Sequence, residues 1–108
     1  MATFYIKEGD LSPLFETNVQ DSSGTNIDIT GAAAAFRMRK VNSATVKINN
    51  EAMSIQDAGT GLVRYEWTGG NTDEPGLYHV EVIITYAGGK QETFPNCSYD
   101  YVYVERGI

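Results

Sequence analysis

The chain has one cysteine, Cys97, and one histidine, His79, in 108 residues. A single cysteine excludes an intramolecular disulfide, so packing alone must hold the fold. One imidazole with no second ligand at matched spacing excludes a zinc site of ordinary design. A Cys97–His79 nucleophile pair needs only proximity in space. However, Cys97 follows Pro95 and Asn96, with no helix N-terminus to activate its thiol. No apolar run reaches the length of a signal peptide or a membrane span. The expectation is therefore a protein made and kept in a reducing compartment, or one that leaves it by some route other than a cleaved signal, with no membrane partner. The Asn96-Cys97-Ser98 sequon then carries little meaning. Cations are also scarce: eight Lys and Arg against fourteen Asp and Glu leave a net charge of -6. Nucleic acid is accordingly not an expected partner, because its binding rests on a basic face. No G-x-S-x-G, phosphate-binding or dinucleotide fingerprint occurs. The acids Asp73 and Glu74 share a loop with Asn71 and Thr72. That is only a fragment of the six to eight oxygens calcium needs. No catalytic residue, metal ligand or cofactor site is expected.

What the chain does have is alternation. Over residues 76–87, Tyr78, Val80, Val82, Ile84 and Tyr86 fall on one face. Leu77, His79, Glu81, Ile83 and Thr85 fall on the other, the period-2 pattern of a strand. Residues 3–8 alternate Phe4 and Ile6 with Thr3, Tyr5 and Lys7, and residues 14–21 alternate Phe15, Thr17 and Val19 with Leu14, Glu16 and Asn18. Residues 21–26 form a turn, and Ile27 and Ile29 make a short apolar return. Residues 32–41 follow as a strand despite four consecutive alanines, because Phe36 and Met38 alternate with Arg37 and Arg39. That places the two arginines on a solvated outer face. Residues 45–48 and 52–56 predict a hairpin about Asn49-Asn50-Glu51. Residues 62–67 alternate Val63, Tyr65 and Trp67 with Leu62, Arg64 and Glu66, which suits Trp67 to plugging a core. Gly88-Gly89 predicts a two-residue hairpin turn between Ala87 and Lys90. Residues 99–105 set Tyr99, Tyr101 and Tyr103 opposite Asp100, Val102 and Val104.

About seven to nine short strands separated by regular turns predict an all-β fold, a sandwich or small barrel, in one domain spanning residues 1–108; a single antiparallel β-sandwich is the expected form. A chain this size buries roughly two-thirds of the surface its unfolded form exposes. Features suited to contact remain. The stripe Tyr99, Tyr101 and Tyr103 either packs in the core or forms a docking surface, since aromatic anchors dominate interface energetics. Arg37 and Arg39 complete the candidate interface.

The order of the signals adds a resemblance. Tyr5-Ile6-Lys7-Glu8-Gly9-Asp10 is followed by Pro13-Leu14, Asp21-Ser22-Ser23-Gly24, Ile27 through Ala32, and Phe36-Arg37-Met38-Arg39. Residues 61–67, Gly76-Leu77-Tyr78, residues 86–90 and Glu92-Thr93-Phe94-Pro95 then follow. This succession resembles the N-terminal domain of the tailed-bacteriophage baseplate upper protein family over nearly the whole chain. The resemblance implies an immunoglobulin-like sandwich and a virion structural protein with no catalytic residues to carry over. In that family the domain precedes a long helical and fibre-forming region, whereas this sequence stops at Ile108. The expected role is therefore a small accessory, adaptor or decoration protein on a capsid, neck or tail/baseplate lattice. Its partners would be other virion proteins, with self-association on the particle as a further expectation. The alternative is a carbohydrate-binding or adhesin-like sandwich that presents Tyr99, Tyr101 or Trp67 to sugars. A small hydrolase or metal enzyme is the remaining class.

Overall fold

A computed structural model describes residues 3–95 and 100–108. It contains eight strands: β1 (Thr3–Lys7), β2 (Phe15–Asn18), β3 (Ala33–Lys40), β4 (Val46–Asp57), β5 (Leu62–Tyr65), β6 (Gly76–Thr85), β7 (Gln91–Phe94) and β8 (Asp100–Glu105). The one helical element among the described residues is a 3-10 turn, Ala58–Thr60. The fold is all-β and sandwich-like, as the alternation predicts.

The strands run in the order β1-β8-β6-β3-β4-β5-β2, with β7 pairing β6 off this path. β8 occupies the edge of β6 over Gly76–Val80, and β7 follows over Val82–Thr85. The larger layer comprises β1, β8, β7, β6, β3 and the first part of β4. The smaller comprises the end of β4, β5 and β2.

Three expectations about local structure are corrected. The sheet is not wholly antiparallel, because β1 pairs β8 in parallel from Thr3↔Tyr101 to Lys7↔Glu105. Period-2 alternation is the same in both directions, so it carries no information on strand sense. Next, residues 45–56 are no hairpin. β4 runs through Asn49 and Asn50 as one strand of 12 residues. Its pairing steps from Phe36↔Glu51 to Met38↔Ile48 and then to Arg39↔Val46, so β4 carries extra residues and bulges twice against β3. Asn50 sits at φ 55. An asparagine that tolerates positive φ serves a bulge as readily as a turn. Bulging also bends β4, and from Ser54 onward it pairs β5 instead of β3. β4 thus links the two layers. Finally, the β6–β7 connection has three loop residues. Tyr86 N–H donates to Lys90 O at 2.7 Å and Gly89 N–H to Tyr86 O at 2.9 Å, which makes Ala87-Gly88-Gly89 the loop.

The core lies between the layers and is aromatic. Phe36 of β3 stacks on Tyr65 of β5 with centroids 4.4 Å apart, and Phe15 of β2 lies 5.1 Å from Phe36. Phe4 of β1 meets Phe15 edge-on at 5.5 Å. This last contact brings the two ends of the strand order together, so the sheet curls nearly into a barrel. Trp67 is buried against Phe36 and Tyr65, and its Nε1–H donates to Pro13 O at 3.0 Å. It plugs the core, as its alternation predicts. The Ile27–Ile29 return is not a strand. Ile29 is nevertheless fully buried, with its N–H donating to Ala58 O at 2.9 Å.

Residues 71–76 are fastened from several sides. Glu74 pairs with Lys40 at 2.8 Å, Asp73 pairs with Lys47, and Glu74 O accepts from the Tyr78 hydroxyl at 2.7 Å. Asn71 Oδ1 accepts from the Tyr65 hydroxyl and from Thr68, and the Thr72 hydroxyl donates to Asp10 O. The oxygens that offered a fragment of a calcium loop are engaged in holding the chain. Burial, reinforced by the charges of Glu74 and Asp73, pushes the Tyr78 phenol up to about 12.

Candidate functional site

Inward parity in four strands fixes what faces outward from the larger layer. Phe36 and Met38 of β3, Tyr78, Val80 and Val82 of β6, Val102 and Val104 of β8, and Ile6 of β1 are all buried. Their alternating neighbours therefore project from the opposite side of the sheet. These are Arg37 and Arg39, Leu77, His79 and Glu81, Tyr101 and Tyr103, and Tyr5.

Strand register then sets these residues in rows. Tyr5 of β1 pairs Tyr103 of β8, which pairs Leu77 of β6. One row over, Tyr101 pairs His79, His79 pairs Arg39 of β3, and Arg39 pairs Val46 of β4. Glu81 pairs Arg37 in the next row. Tyr5 and Tyr103 meet edge to face at 6.0 Å, and the His79 and Tyr101 rings tilt together at 5.2 Å.

The face is unusually rich in exposed apolar surface. Six large hydrophobic residues are exposed in the described structure, and four of them, Tyr5 at 60%, Tyr103, Leu77 and Val46, lie here. Leu11 and Ile108 are the others. Single exposed apolar residues are normal, whereas several gathered on one face are the kind of surface that contacts use.

Charge sits beside the apolar row. Arg37 Nε lies 3.3 Å from Glu81 Oε1, close enough for an ion pair but without hydrogen-bond alignment. Arg39 is half-buried and takes part in none of the salt bridges among the described residues. With Val46, His79, Glu81 and Arg37 it lines a cavity of about 210 Å³ that opens on this face.

The structure thus brings together four of the five residues the sequence singles out: Arg37, Arg39, Tyr101 and Tyr103. The arginines take the outer face, as expected. Tyr101 and Tyr103 resolve their alternatives toward that same face, while Val102 and Val104 enter the core. Tyr99 lies outside the described residues, as does Cys97. Tyr5, Leu77, His79 and Val46 are the residues that sequence reasoning did not assign to the site. Their outward parity was visible within each strand for the first three. What joins them is the register between strands distant in sequence, which no single segment encodes. Trp67, offered as a sugar-stacking aromatic, is corrected: its ring is buried among Phe4, Phe36 and Tyr65.

No protein-family model and no curated protein matches the chain. Among the described residues, no group of three or more His, Cys, Asp or Glu is placed to hold a metal ion. No helix among them is long and apolar enough to cross a membrane. The face presents aromatic and aliphatic area beside a pair of guanidinium groups.

Proposed function

We propose that the chain is a non-enzymatic bacteriophage virion structural protein, an accessory, adaptor or decoration protein docked on a capsid, neck or tail/baseplate lattice. The larger layer is the docking element, and its outer face meets the neighbouring virion protein. One observation carries this reading: four of the six exposed large apolar residues among the described residues lie on one face, with Tyr5, Tyr103 and Leu77 in one register row and Val46 in the next. The succession of sequence motifs, similar to that of the baseplate upper protein domain, supplies the biological setting.

Burying Tyr5, Tyr103 and Leu77 would supply the hydrophobic centre of such an interface, with Lys7, Glu105, Arg37 and Glu81 around it. The carbohydrate-binding alternative loses its strongest anchor, because Trp67 is buried. Immunogold labelling of purified virions tests the proposal. Gold at fixed positions on heads, necks or tail ends is the expected result. Its absence from particles, with the protein abundant in infected lysate, would overturn the virion assignment.

A further inference from the structure

The cavity on the docking face has a chemistry more specific than aromatic contact. We propose that it receives a carboxylate from the partner protein, an Asp or Glu side chain seated on Arg39. This inference rests on the reading of the face as a docking surface and names the partner chemistry that surface selects.

Three observations converge on it. Arg39 is half-buried and takes part in no salt bridge among the described residues, whereas Arg37, two positions away on the same strand face, faces Glu81. A guanidinium presents a planar fork of donors that matches a carboxylate. Second, the cavity has a defined apolar wall at Val46 and an aromatic flank where His79 tilts against Tyr101, so the partner's alkyl stem has surface to lie on. At about 210 Å³ it has room for a side chain as well as its charged head. Third, the charge is locally inverted. The chain carries -6 overall, yet this cavity is lined by two arginines and one glutamate that is already paired. A net positive recess on an acidic protein is complementary to an acidic group and guides its register. Apolar residues flanking that acid would then reach the Tyr5–Tyr103–Leu77 row, which lies one register step away.

The test uses 3-methylbutanoate as the probe and its uncharged amide as the control of equal shape. Each is titrated into the isotope-labelled chain, and the backbone and arginine Nε–H signals are followed. The expected result is a saturable shift of the Arg39 Nε–H and Val46 signals with the acid and none with the amide. Arg39→Gln should weaken the acid by about tenfold, the worth of a charge-assisted hydrogen bond, and Arg39→Lys should weaken it less. Arg106→Gln should leave it unchanged. The same spectra report whether each variant is folded. Equal responses to acid and amide, or an unaltered affinity in folded Arg39→Gln, would overturn the proposal. Sedimentation of the unmutated chain with particles assembled without it separates the two readings. Carboxylate binding without particle binding would contradict the virion assignment alone, and particle binding unaffected by Arg39→Gln would contradict the carboxylate site alone.

Discussion

Phe36 touches three other rings, Phe15, Tyr65 and Trp67, and is fully buried between the layers. Truncating it removes transferred surface and leaves a cavity that rigid β-strands cannot close. Phe36→Ala should therefore cost about 3–5 kcal/mol. Tyr103→Ser on the outer face should stay within about 0.5 kcal/mol. Urea unfolding of both variants checks the contrast, and a large loss at Tyr103 would mean that the tyrosine row is structural. A second contrast concerns two glycines with positive φ. A Cβ on Gly61 would sit 2.6 Å from Ile27 O and 2.8 Å from Val19 Cγ2, whereas one on Gly24 would meet nothing within 4 Å. Gly24→Ala should cost about 1–2 kcal/mol from backbone strain alone. Gly61→Ala must also displace the segment that seats Ile29, so its midpoint should fall well below that of Gly24→Ala.

At the scale of elements, the loops depend on ionised acids. Asp21 accepts from the Ser23 hydroxyl and from the Thr25 and Ser23 N–H groups, which hold its carboxyl below 3.8. The Thr30 hydroxyl and N–H do the same for Asp28. Lys40 holds Glu74 below 4.5. In each case the folded value is depressed, so the stabilisation is present above the unfolded value and lost as pH falls through the folded one. Stability should therefore decline as pH drops from about 4.5 to below 3.8. Urea midpoints taken across that window should show a shallower decline in the double variant Asp21→Asn, Asp28→Asn. An identical slope would mean that these turns do not contribute. The elements also differ in how legible they were. β3, β6 and β8 were readable because each carries an unbroken inward set, such as Tyr78, Val80 and Val82. β4 was not, because the Asn49-Asn50 pair gives the same local signal for a turn as for a bulge. The parallel sense of β1 was equally hidden, since Phe4 and Ile6 alternate alike in either direction. The arginine face could be placed from Phe36 and Met38 alone. Its juxtaposition with Tyr5 and Tyr103 depends on pairing across nearly the full length of the chain.

The molecule measures 44 × 24 × 23 Å, an elongated body with its aromatic core between the layers and four of the six large exposed apolar residues among the described residues on one broad sheet face. One side of the larger layer thus holds the fold together, and the alternate residues of the same strands form the proposed docking face. This division means that docking and stability should be separable by mutation. The most direct measurement is sedimentation of the purified chain with particles assembled without it, comparing the natural sequence with the triple variant Tyr5→Ser, Leu77→Ser, Tyr103→Ser. The unmutated chain should pellet with particles to saturation, and the variant should stay in the supernatant while unfolding at nearly the same urea concentration. Pelleting of the folded variant to the same extent would contradict the outer face of the larger layer as the docking surface.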